Sequence, residues 1–353
     1  MPVEMIGWVA PQVSSEIVAP QGPSFDPDVI TTTARIHEEA DFDRVLIGYF
    51  SNAPDGFLIA SHAGSNTERL QFLLAHRPGF VAPTVAARKL ATLDQLTGGR
   101  LAVHLIAGGS DGDQAKDGDH TDHGTRYRRT TEYVQVLRRT WTERTPFDHD
   151  GEFYQVRGQR SIIRCHTEPH IPVYGGGGSD AAIAALAGEI DVFMLWGEPL
   201  ADTKAFMDRV RAAGAPDREL NFSVSTRPIL GATTAEAWER AHHILDQIKE
   251  RQGERRPGSP SNAGSQRLLA LADEDEVFDT CLWTATAAAS GAPGNSTALV
   301  GTPDEVAEAL VAYYDLGVRS LLIRGYDPLP DAVAYGEELI PRVRELVAER
   351  DAR

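Results

Sequence analysis

Short apolar, β-rich runs alternate with amphipathic segments almost from one end of the chain to the other. Eight runs read as strands: Met5–Ala10, Arg44–Phe50, Leu70–His76, Leu101–Ala107, Ile171–Gly175, Val192–Trp196, Leu220–Leu230 and Ser320–Gly325. Stretches such as LLIRG and DVFMLW are nearly continuous in apolar residues, the pattern of strands buried on both faces of a parallel sheet. Between the strands, apolar residues recur at helical spacing over Pro27–Ala40, Gly56–Ser65, Pro83–Leu96, Arg126–Glu143, Asp180–Ile190, Asp202–Ala213, Ala235–Arg251 and Pro303–Leu316. Ser179-Asp180, Thr233-Thr234 and Thr302-Pro303 place a capping hydroxyl before an acid or a proline at helix starts. Eight β-then-α units predict an α/β fold closed as a TIM (β/α)8 barrel. A doubly wound sheet is the rival, but no G-x-G-x-x-G follows the first strand.

Two stretches break the alternation. Phe147–Val156 reads as a β-hairpin turning at His149–Gly151, before the fifth strand. Gly253–Asn295 is rich in Gly, Pro and Ser at both ends and reads as a mobile insertion or lid over the C-terminal face of the barrel. The 353 residues suit one barrel domain with such insertions, spanning 1–353. A net charge of −17 argues against nucleic acid or an anionic membrane as the main partner. Two cysteines, Cys165 and Cys281, form neither a disulfide framework nor a metal-ligand cluster. No apolar run is long enough to span a membrane and the N-terminus lacks a signal pattern, so a cytoplasmic location is expected.

In a barrel, chemistry collects after the C-terminal ends of the strands. The strongest feature there is VYGGGGSDAA: glycines between a buried strand and a helix starting at Ser179-Asp180 leave backbone N–H groups uncovered, and Ser179 adds a hydroxyl. That suits a phosphate, against the simpler reading of a capped flexible turn. Asp122–Tyr127, at the mouth of another helix, offers His123, Arg126 and Tyr127 for an anion, or merely a first helical turn. The acidic run Asp111–His123 lacks the closing Glu of a calcium loop and reads as a mobile loop. His242-His243 point to different sides of a helix and read as surface residues rather than metal ligands. Cys165 has no base nearby in sequence. His62 reads as packing or surface.

Six motifs occur in order along the chain: APTVAARKLATLDQLTGGR (Ala82–Arg100), DHGTRYRRTTEY (Asp122–Tyr133), PVYGGGGSD (Pro172–Asp180), LWGEP (Leu195–Pro199), TALVGTPDEV (Thr297–Val306) and LIRGY (Leu322–Tyr326). With them the chain resembles, over most of its length, the bacterial-luciferase-like flavin monooxygenases, in particular the alkanesulfonate monooxygenase branch. The resemblance implies a homo-oligomeric flavoprotein, a dimer or tetramer. It would receive FMN as FMNH2 from an NAD(P)H:flavin reductase and use O2 through a C4a-peroxyflavin on a small organic substrate, with organosulfur compounds among the candidates. It places His123, Tyr127, Gly177, Gly178 and Ser179 on the FMN phosphate and ribityl chain, and Gly108 at the isoalloxazine edge. Gln12, Trp196, Arg227 and Tyr326 become substrate-pocket residues, with Arg227, Tyr326 and Trp196 nearest the chemistry; Tyr326 and His76 are candidates for proton transfer. In that branch helices two and three make the dimer contact, which Pro83–Leu96 with Val85, Ala86, Leu90 and Leu93 would serve unless those residues cover the barrel. The chain departs from the branch at Val13, Ala53, Ala107, Arg227 and Ala292, which removes several sulfonate-binding groups and points to another substrate. Two rivals share the fold: a deazaflavin (F420)-dependent hydride-transfer enzyme, and a non-catalytic flavin-binding barrel.

Overall fold

The computed structural model describes residues 3–216, 218–253, 260, 262–292, 294 and 296–353. The eight expected strands are all present: β1 (Glu4–Val9), β2 (Arg44–Ile47), β3 (Gln71–His76), β4 (Leu101–Leu105), β5 (Val173–Gly176), β6 (Val192–Trp196), β7 (Asn221–Leu230) and β8 (Val318–Ile323). Their hydrogen-bonded order closes into the parallel ring of a TIM barrel. The chain divides into two compact units, Met1–Val45, Met194–Arg209 and Asn221–Arg353 against Leu46–Phe193 and Val210–Leu220. β2 and β6 run through both.

In the first unit the order is β6, β7, β8, β1, β2. β1 and β8 pair with Glu4 opposite Ser320 and Ile6 opposite Leu322. A buried polar group plugs this half: Arg44 Nε donates to Glu4 at 2.8 Å, and the Ser320 hydroxyl donates to the other Glu4 oxygen at 2.7 Å. Thr302 and Glu305 form a reciprocal capping box at the start of helix Pro303–Asp315. In the second unit β2, β3, β4, β5 and β6 follow in order, covered by helices Pro83–Leu96 and His123–Thr142. In Pro83–Leu96, Ala86, Leu90 and Leu93 are buried within the unit, while Val85 and Leu96 are exposed. Of the four residues offered for a contact between copies, only Val85 is exposed.

Four features differ from the sequence reading. The hairpin pairs Phe147–Asp150 with Gln155–Gln159, so its turn lies at Gly151–Tyr154, later than expected. Asp111–Lys116 is helical where a mobile loop was expected. Of the stretch Gly253–Asn295, residues 254–259, 261, 293 and 295 lie outside the described residues; the rest holds helices Ala263–Glu274 and Ala285–Ser290 and the antiparallel pair Val277–Phe278 and Leu282–Trp283. That pair is joined through strand Ala298–Gly301 to the C-terminal half of β7. A C-terminal helical segment, Pro328–Ala334 and Ile340–Asp351 linked by a π turn at Tyr335–Leu339, completes the chain. Among the described residues, no helix is long and apolar enough to cross a membrane.

Candidate active site

In the second unit the glycine loop after β5 meets helix His123–Thr142. Ser179 caps helix Asp180–Leu186, its hydroxyl accepting from Ala182 N–H at 3.2 Å. A Cβ on Gly177 would lie 2.3 Å from the Tyr127 hydroxyl and 2.6 Å from Ala182 Cβ, so the loop closes this tightly only with glycine there. Burial pushes the Tyr127 phenol up to about 12, against hydrogen bonding to Ser179 and the charge of Arg126. At neutral pH Tyr127 is therefore an O–H donor. The His123 ring packs edge-on against Tyr127, centroids 4.9 Å apart. Burial first, then the Arg126 charge, draws His123 below its usual range. The structure thus brings together Tyr127, His123, Gly177 and Ser179, with Gly178 between the last two. Their hydroxyl and N–H donors match the oxygens of a phosphate. FMN fits this donor set.

The loop after β4 is fastened by three arginines, Arg77 and Arg126 buried and Arg129 half-buried. Arg126, 1% exposed, donates to Asp111 and the Thr121 carbonyl. Arg77 donates to Asp113 and, at 2.7 Å, to the Ser51 hydroxyl, and Arg129 donates to Asp119. The acids that read as a solvated run are the partners of three cations 36, 15 and 10 residues away, which is why the segment is ordered. Gly108 is correspondingly covered. A Cβ there would fall 1.4 Å from Gln114 Nε2, which donates to the Ala107 carbonyl at 3.1 Å. Gln114 therefore occupies the place a side chain at Gly108 would take.

In the first unit, Arg227 stands at the centre of a buried cluster and is itself 2% exposed. Its Nη1 and Nη2 take one oxygen each of Glu16 at 2.9 Å; Nε donates to the Arg324 carbonyl at 2.7 Å and Nη2 to the Gly325 carbonyl at 3.0 Å. The guanidinium lies 4.0 Å from the centre of the Tyr326 ring. Burial alone would raise the Glu16 carboxyl, but the charge and hydrogen bonds of Arg227 hold it at about 2. Burial also keeps Tyr326 a neutral phenol at physiological pH. Trp196 packs on Gly264 of helix Ala263–Glu274 and against Leu268, Ala287 and Ala292. Gln12 donates to the Gly22 carbonyl at 3.0 Å. Arg227 and Tyr326 are therefore in contact.

Among the other expected groups, His76 is buried and its Nε2 lies 2.7 Å from the Tyr133 hydroxyl, which donates to the Val81 carbonyl. Burial, then the charge of Lys89, lowers it to about 4. Burial pushes both thiols, Cys165 and Cys281, up to about 12, so neither is a thiolate at neutral pH. His242 and His243 are exposed. Sequence reasoning passed over Glu16, Gln114 and Arg324. Glu16 carries one faint signal: it is the lone acid in a stretch of small and apolar residues after β1.

The luciferase-like monooxygenase family matches residues 4–320. Among solved structures, riboflavin lyase (RcaE), determined with modified FMN and riboflavin, is similar at 17% identity and a TM-score of 0.79, over 98% of this chain and 92% of that one. EDTA monooxygenase (EmoA) from Chelativorans sp. BNC1 is similar at 17% identity and a TM-score of 0.75, over 98% and 94%. An F420-dependent secondary alcohol dehydrogenase, in complex with an F420-acetone adduct, is similar at 15% identity and a TM-score of 0.68, over 97% and 99%. At such identities these likenesses are of fold. The family match extends over nearly the whole barrel, and on it the chain belongs to the luciferase-like monooxygenases, a family of oxidoreductases.

Proposed function

We propose that the protein is the oxygenase of a two-component system, taking FMNH2 from an NAD(P)H:flavin reductase and using O2 to oxidise a small organic substrate, with organosulfur compounds among the candidates. The observation that carries this reading is the Tyr127 hydroxyl, held neutral and pressed against the glycine loop beside Ser179. The reduced flavin supplies the electrons and the position at which O2 is activated. Tyr127, Ser179 and the loop N–H groups hold its phosphate, with His123 as a neutral neighbour. In the first unit, Glu16 fixes Arg227, and Arg227 fixes the ring of Tyr326. Trp196 and helix Ala263–Glu274 form an apolar wall that keeps water from the reaction. The monooxygenase activity of EmoA on the same fold supports this choice.

Titration with FMN and FMNH2 tests the site. Tyr127→Phe and Ser179→Ala, each removing one donor, are expected to weaken binding by about tenfold, the scale of one hydrogen bond to a charged group. Melting should be nearly unchanged for Tyr127→Phe, while Ser179→Ala, which also removes the helix cap, should lower it by an amount matching about 1 kcal/mol. Tight binding of F420 with none of FMN would overturn the proposal in favour of hydride transfer.

A further inference from the structure

At the C-terminal ends of β7 and β8 the first unit holds two arginines and one carboxylate. Along β8, Ser320, Leu322 and then Arg324 alternate onto one face, and on β1 the matching series is Glu4, Ile6, Trp8. The opposite face of β1 is the helix side, since Gly7 abuts His37 of helix Pro27–Glu39. Arg324 and Trp8 therefore continue the inward-facing series begun by the Glu4–Ser320 contact, two layers nearer the C-terminal mouth where barrel chemistry resides. The Arg324 guanidinium stands 5.0 Å from the centre of the Trp8 ring.

The carboxylate is already spoken for. Glu16 gives both oxygens to Arg227 in a bidentate pair. The Arg324 guanidinium has one long hydrogen bond, Nη2 to the Ser14 carbonyl at 3.3 Å, and its Nε is buried with no partner. Burial, then repulsion from Arg227, lowers Arg324 to about 10 against the attraction of Glu16, so it remains a cation at neutral pH. A half-buried cation with one weak acceptor beside a second cation is costly to keep unless something anionic completes it. Arg227, with its donors committed, is not the group to receive it.

We propose that Arg324 is a specificity-determining residue that receives a small oxyanion on the substrate, a carboxylate or a sulfonate, with Trp8 as the floor beneath the ion pair. Calling that anion the substrate rests on the monooxygenase reading; the anion site does not. The test uses flavin-free protein titrated with 1-butanesulfonate, with pentanoate and with uncharged butyl methyl sulfone, following tryptophan emission and melting temperature. At least one anion should bind and perturb emission, and the sulfone should bind at least about tenfold more weakly, the loss expected for a charge-assisted contact. Whichever anion binds more tightly identifies the headgroup. Arg324→Met should weaken the anion by a similar factor and leave the sulfone unchanged, while Arg324→Lys should keep most of the anion binding. Equal anion binding in wild type and Arg324→Met, a sulfone as tight as the sulfonate, or binding of neither anion would overturn the inference. If Arg324→Met does not fold, the sulfonate-to-sulfone ratio on the wild type decides. FMN titration run alongside separates the two readings: FMN binding without anion binding overturns this inference alone, and the reverse overturns the flavin site alone.

Discussion

Arg227 gives four of its five N–H donors to Glu16 and two backbone carbonyls, so its first consequence is local order. Arg227→Met leaves Glu16 charged and half-buried, and a loss of about 3–5 kcal/mol is expected in urea unfolding. Glu16→Gln removes the charge from the other side. The double variant should recover part of the loss, and a cycle closing with no coupling would show that the pair does not act as one unit. The two ends of this pair are 211 residues apart. No local pattern announces such a partner, and it is the family resemblance that places Arg227 in the substrate pocket. Ser179 and Tyr127 were legible because a glycine loop before a helix marks its own chemistry in sequence.

For whole elements, periodicity carried most of the information, and the misses share one cause. The C-terminal helix contains Pro328, Pro330 and Pro341, residues that read as breakers. The prolines sit in first turns, where no N–H is needed, and a π turn links the two halves. Ala263–Glu274 was hidden in the same way by the Gly, Pro and Ser flanking it. Elements tied by buried acids are open to a direct test. Asp94, at the end of helix Pro83–Leu96, is fully buried and accepts from His166 N–H (2.7 Å), Thr167 N–H (2.9 Å) and the Thr167 hydroxyl (3.0 Å). Asp94→Ala strands three donors and should cost about 3 kcal/mol in denaturant melts, with Asp94→Asn recovering part of it. A change under about 0.5 kcal/mol would mean that the 166–167 loop holds itself.

For the molecule as a whole, titration couples these sites to stability. His37, His76 and His104 are each held near 4 by burial, against a reference of 6.5, so the unfolded chain takes up their protons first. Stability should be fully present above about pH 6.5 and fall as pH drops through 4. Glu16 and Asp119 stand at about 2 against references of 4.5 and 3.8, and they add a further loss from those references down to pH 2. Melting temperature followed from pH 8 to pH 3 checks this; a flat profile between pH 7 and pH 4 would contradict the burial of the three histidines. Reductase-supplied FMNH2, isotopically labelled O2 and a panel of small carboxylates, sulfonates and organosulfur compounds should yield a product carrying one labelled oxygen atom. Turnover that needs reduced F420 and leaves O2 untouched would contradict the proposed oxygenase function.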